Sequence, residues 1–194
     1  LITGFADANM DRAPIVAIAG QGSTTRMHKE SHQMLDLVNL FEPISKDSTE
    51  IIHQDIIPEV VRKAFKDAQA EKPGGVFISF PENIAGSELE TPKAPLRVQQ
   101  GTLPAPPSEK VEQAANVISQ AKAPIIMAGN GVIRGRASTE LLKFAEALNI
   151  PVATTFMAKG VIPFSHPLSL GTVGLQDHDY VACGFDRADV IICI

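Results

Sequence analysis

Five short, unbroken apolar runs constrain this chain more than any other feature: PIVAIAG at 14–20, VFISF at 76–80, PIIMAG at 124–129, IPVATTF at 150–156 and VIICI at 190–194. A strand with one wet face alternates polar and apolar residues. An unbroken run is covered on both faces, as in a parallel sheet layered by helices. The segments between the runs carry helical spacing instead. Ile57, Val61, Ala64, Phe65 and Ala68 form one such set, Val111, Ala114, Ala115 and Ile118 a second, and Leu141, Leu142, Ala145 and Leu148 a third. Parallel neighbours must be joined by a crossover, so the alternation predicts an α/β protein of parallel sheets flanked by helices.

The punctuation divides the chain. Helices are expected over 2–12, 31–41 and 55–71, the last with Asp55 as cap, Pro58 in its first turn and KPGG at 72–75 as its stop. Pro92, Pro95, Pro104, Pro106 and Pro107 then crowd a stretch with little apolar periodicity. That stretch, 86–107, reads as a linker lying extended over a surface. Further helices are expected over 108–121, 138–149 and near 177–187. The organisation is therefore a first unit over 1–85, the linker, and a Rossmann-like second unit over 108–194. Leu1 enters directly into patterned sequence and the last residues read as a strand, so the chain is expected to be a segment of something longer.

Composition excludes several classes. With 44% hydrophobic and 20% charged residues the chain can build an ordinary globular core. A net charge of −5 with scattered Lys and Arg does not suit a nucleic-acid backbone. No apolar stretch approaches the roughly eighteen residues that cross a bilayer, and the start lacks the pattern of a signal peptide. Cys183 and Cys193 suggest no disulfide framework. These features point to a cytoplasmic protein without a membrane partner.

Few residues announce chemistry by themselves. Gly129, Asn130, Gly131 and Gly135 follow one apolar run and precede a helix, where glycine permits a tight turn or close approach by a ligand. Arg134 breaks the dinucleotide fingerprint, so a nucleotide loop and a plain turn both remain open. His28, His32, Gln33 and Asp36 gather at the start of the 31–41 segment. The glycine and threonine run at 20–25 puts His28 in a loop, which argues against a metal site. Gln33 can offer both a donor and an acceptor. His166 and His178 read as turn or surface residues.

The same residues carry a family resemblance. Thr3, Gly4, Ala6, Asp7, Ala8 and Asp11, followed by a strand and Gly20-Gln21, resemble a stretch of the thiamine-diphosphate-dependent acetolactate synthases. Gln33, then Pro43-Ile44-Ser45-Lys46, Ile57-Pro58 with Val61, Pro73-Gly74 and Pro81 continue it in order. AGNG at 128–131, IPVATTF, AKG at 158–160, HPLSLGTVG at 166–174 and DRADVIICI at 186–194 are similar to that family's middle domain. His32-Gln33 and GLQDHDYVACGFDRAD at 174–189 look more like its catabolic, flavin-free members than its biosynthetic ones.

The resemblance implies a fold, a reaction and a set of sites. Residues 1–85 would be the C-terminal part of a pyrimidine-binding domain and 108–194 most of a middle domain. The parent enzyme would join two pyruvate molecules into 2-acetolactate with loss of CO2, using thiamine diphosphate and Mg2+, as a homodimer or homotetramer in acetoin or branched-chain amino acid metabolism. The activating glutamate and the metal motif would lie outside these residues, so the chain alone is expected to be inactive and to hold no metal. Gln33 would line the substrate side of the cleft, with His32 beside it. In flavin-binding relatives FAD runs past the positions of Gly129, Asn130 and Gly131, of Thr155, Phe156 and Met157, and of Val173, Gly174 and the two residues after it; a flavin-free member would leave that groove empty. A pyruvate oxidase, a glyoxylate carboligase, a 2-keto-acid decarboxylase, and a non-catalytic nucleotide-binding or interaction protein are the alternatives.

Overall fold

The computed structural model describes residues 1–32, 34–89, 91, 93–99 and 104–194. They form two compact units, Leu1–Leu103 and Pro104–Ile194. Each holds one parallel sheet, as the apolar runs require.

In the first unit the elements run α1 (Ile2–Met10), β1 (Ile15–Gln21), α2 (Leu37–Phe41), β2 (Asp47–Glu50), α3 (Ile57–Gln69), β3 (Gly75–Pro81) and α4 (Glu82–Ala85). The strand order is β1-β3-β2, all parallel. Central β3 is the run VFISF, and Val76, Phe77, Ile78 and Ser79 are wholly buried. Alternate residues face opposite sides. Phe77 packs with Phe5, Ala17 and Phe41 beneath α1 and α2, while Val76 and Ile78 pack with Ile51, Ala64 and Ala68 on the side of α3. The Phe41 and Phe77 rings stack, and Phe5 meets Phe41 edge-on with centroids 5.3 Å apart.

Two expectations for this unit need correction, and one strand was not foreseen. The helix over 31–41 forms only as Leu37–Phe41. Asp36 caps it by accepting the Asn39 N–H at 3.1 Å, and the Leu35 carbonyl is held by the Gln21 side chain, so the residues before 36 cannot join the helix. Asp55 does not cap α3; a 3-10 turn over Gln54–Ile56 precedes the helix, and the Asp55 carboxylate pairs with Lys93 at 2.9 Å. Strand β2 was not foreseen. Its sequence, DSTE, is polar, and it lies at the sheet edge with all four residues partly exposed, which tolerates polar residues. Of the residues in the proline-rich stretch, Lys93, Pro95, Leu96 and Val98 border one groove with Ile57, Pro58 and Val61 of α3.

The second unit runs α5 (Ser108–Gln120), β4 (Pro124–Ala128), α6 (Asn130–Arg134), α7 (Ser138–Leu148), β5 (Val152–Thr154), β6 (Ser169–Thr172), α8 (Asp179–Ala182) and β7 (Val190–Cys193). Its order is β6-β5-β4-β7, again all parallel. Ile126, Ala128 and Val152 pack under Leu141 and Ala145 of α7, with Val132 of α6; Ala153 packs on the opposite face with Val173 and Cys183. The expected inward stripe of α5 is mostly exposed. Only Ile118 of that stripe meets the core, because α7 already covers Ile126 and Val152. The helix expected near 177–187 is a single turn at Asp179–Ala182 followed by a 3-10 turn at Phe185–Arg187. A short helix, α6, starts directly after Gly129, ahead of the helix expected over 138–149. Among the described residues no helix is long and apolar enough to cross a membrane.

Candidate functional site

In open parallel sheets, ligands gather beyond the carboxyl ends of the strands. At that end of the first unit Gln21 closes β1, Pro81 closes β3 and Glu50 closes β2. Gln21 is buried, and both ends of its amide are engaged. Its Nε2 donates to the Leu35 carbonyl and its Oε1 accepts the Gly22 N–H at 3.0 Å. The side chain thus clamps both ends of the loop that leaves β1. The middle of that loop is pinned to α4: Thr24 N–H donates to Asn83 Oδ1 at 2.9 Å, and Arg26 pairs with Glu82 at 2.9 Å.

The clamped loop encloses an open cavity of about 360 Å³, bordered by Gln21, His28, Lys29, Met34, Asp36 and Glu50 among others. Two of these carboxylates are already oriented. Glu50 Oε2 accepts the hydroxyl of fully buried Ser79 at 2.8 Å, and both Asp36 oxygens bond to Asn39. His28 adopts φ +62°, in a loop as its surroundings implied. The cavity therefore combines an imidazole, an ammonium group and carboxylates around an apolar floor that includes Met34 and Leu35. A small polar acid or amide could find both donors and acceptors there.

His32 is exposed, next to this wall but not among the residues bordering the cavity; Gln33 lies outside the described residues. Sequence reasoning did not single out Glu50. Its only signal was a lone carboxylate at the end of a short polar run that was not recognised as a strand. Gln21 was read as part of a motif, without its clamp role. Lys46, another motif residue, serves α3: its Nζ donates to the carbonyls of Asp67 and Ala70 at the helix end, and partial burial lowers its pKa from 10.5.

In the second unit the residues singled out from the sequence converge on one edge. Gly129 follows β4 and precedes α6, which Asn130 and Gly131 open. Thr155 follows β5, with exposed Phe156 and Met157 in the 3-10 turn after it, and Gly174 follows β6 at φ +91°. β4 has β5 on one side and β7 on the other, so the chain direction through the sheet switches beside Gly129. Its N–H donates to the Ile194 carbonyl at 2.7 Å.

Comparison with known proteins then decides the family. Residues 111–194 match the family model "Thiamine pyrophosphate enzyme, central domain". A Methanococcus aeolicus protein named a probable acetolactate synthase large subunit is 39% identical over the whole chain, which covers 33% of that protein. The chain belongs to the thiamine-pyrophosphate-dependent, acetolactate-synthase-like family. The acetolactate synthase large subunit of Corynebacterium glutamicum is 34% identical, with the whole chain covering 31% of it. The glyoxylate carboligase of Escherichia coli O157:H7 is 35% identical, with 33% of its length covered. The chain thus spans about a third of these relatives. In fold it is similar to a Mycobacterium smegmatis protein described as thiamin diphosphate-dependent, with a TM-score of 0.84 over 99% of this chain and 37% of that one, at 23% identity.

Among the described residues no group of three or more His, Cys, Asp or Glu side chains is placed to hold a metal ion.

Proposed function

We propose that this chain is the substrate-side portion of a carboligase that joins two pyruvate molecules into 2-acetolactate and releases CO2. In this reading residues 1–85 belong to its pyrimidine-binding domain, 86–107 to the interdomain linker and 108–194 to its middle domain. The observation that carries the proposal is the end-to-end similarity to acetolactate synthase large subunits, which includes the whole of the first unit and its clamped loop. Thiamine diphosphate, where bound, supplies the electron sink for the carbanion.

This segment would contribute substrate orientation. Gln33 offers its amide to a pyruvate carboxylate or keto oxygen, and His32 beside it influences which second keto acid is accepted. The Gln21 side chain holds the two ends of the loop, at Gly22 and Leu35. The parent would act as a homodimer or homotetramer.

The similarity to a glyoxylate carboligase supports a second reading, in which glyoxylate replaces pyruvate. One experiment separates them. The protein that carries this chain is incubated with thiamine diphosphate, Mg2+ and either keto acid, and the products are identified. 2-Acetolactate from pyruvate supports the first reading. Tartronate semialdehyde from glyoxylate alone supports the second. CO2 release without a carbon–carbon bond, or no turnover, rejects both. The 194-residue chain by itself is expected to turn over neither acid.

A further inference from the structure

Several backbone amides at the carboxyl edge of the second unit, where a dinucleotide would lie, already have partners. We infer that Asp179 is a built-in anion that fills the backbone cradle after β6 and closes it to the phosphates of a flavin dinucleotide. One oxygen, Asp179 Oδ2, accepts the N–H groups of Gly174 at 2.7 Å, Leu175 at 2.9 Å and Gln176 at 3.1 Å. Three successive amides converging on one point form the kind of nest that elsewhere holds a phosphate oxygen. Gly174 makes the convergence possible, since its φ of +91° is one that side-chain-bearing residues rarely adopt.

The neighbouring amides are engaged as well. Gly129 N–H donates to the Ile194 carbonyl at 2.7 Å, Thr155 N–H to the Ala128 carbonyl at 2.9 Å and Val173 N–H to the Thr154 carbonyl at 2.9 Å. These residues end or follow β4, β5 and β6, the positions a flavin would pass. The Asp179 carboxyl is held below its ordinary value, first by the Gln176 N–H and then by that of Leu175, so it is charged at neutral pH. A diphosphate approaching this nest would meet that charge and find its three amides already bonded. The nest after β6 therefore does not fit a phosphate of FAD. Asp179 decides ligand class in the second unit, whichever keto acid the parent joins.

The test uses the purified protein that carries this chain. FAD is titrated by its fluorescence up to about 1 mM, the weak end of specific affinity. Hydrogen exchange is followed at the amides of Gly174, Leu175 and Gln176 in the unaltered chain and in Asp179→Ala. We expect no saturable binding, and at least a tenfold loss of protection at the three amides in the variant. Should Asp179→Ala not fold, Asp179→Asn is read instead; it keeps an acceptor without the charge, and a loss of several-fold is expected. Saturable FAD binding by the unaltered chain overturns the inference. So does a folded variant whose three amides exchange unchanged.

Discussion

Ser79 and Glu50 are register partners on adjacent parallel strands, and the hydroxyl of wholly buried Ser79 donates to the Glu50 carboxylate at 2.8 Å. The bond joins the middle of the core to the wall of the first-unit cavity. A hydrogen bond to a charged group contributes about 1.5–3 kcal/mol, and a buried hydroxyl left without a partner costs about 1–3 kcal/mol. Glu50→Leu is therefore expected to destabilise the first unit by about 1–3 kcal/mol in urea denaturation. Ser79→Ala, which removes the donor but leaves Glu50 access to water, should cost less. Equal stability of all three chains would show that the bond contributes nothing.

Gly75 lies against Phe5. A Cβ at Gly75 would come 2.5 Å from Phe5 Cζ and 2.9 Å from both ring Cε atoms, and Phe5 is itself buried. The ring has no open space to move into, and overpacking of this kind costs about 1–3 kcal/mol. Gly75→Ala should lower the denaturation midpoint accordingly, and the added substitution Phe5→Leu, by making room, should recover part of the loss.

Asp189 ties the entry of β4 to the entry of β7 by accepting the N–H groups of Lys122 at 2.7 Å and Ala123 at 2.9 Å. Those amides, Lys122 first, hold its carboxyl below the ordinary 3.8. A carboxyl with a lowered folded-state pKa binds fewer protons in the folded chain than in the unfolded one. Its stabilisation is therefore complete above the unfolded value and is lost as pH falls through the folded one. Acid denaturation followed by circular dichroism should show a steeper loss of stability below about pH 4 in the unaltered chain than in Asp189→Asn.

In the protein that carries this chain, Gln33→Ala is expected to lower kcat/KM for pyruvate by roughly tenfold to a hundredfold, the effect of losing one hydrogen bond to a charged group. His32→Phe should leave pyruvate consumption within a few-fold and alter the preference among second keto acids. A Gln33→Ala enzyme with unchanged kcat/KM would remove Gln33 from the substrate side of the cleft.

The polar edge strands show where sequence reading reaches its limit. The buried runs around Phe77, Ile126 and Val152 declared themselves because a strand covered on both faces must be apolar throughout. DSTE of β2 and SLGT of β6 lie at sheet edges, where nothing demands that pattern, so only their pairing with β3 and β5 identifies them. The exposed stripe of α5 failed for the converse reason: apolar spacing states that a face could be buried, while the neighbouring helix decides whether it is.

By itself, then, the sequence determined two α/β units, their buried apolar strands and the family. These follow from local patterns: apolar runs, helical periods, prolines and ordered motifs. Tertiary structure alone decided that Gln21 clamps its loop, that Glu50 turns toward Ser79 and that Asp179 fills the nest after Gly174. A hydrogen bond depends on where two groups meet in space, and in each case only the strand register or the path of a loop brings them together.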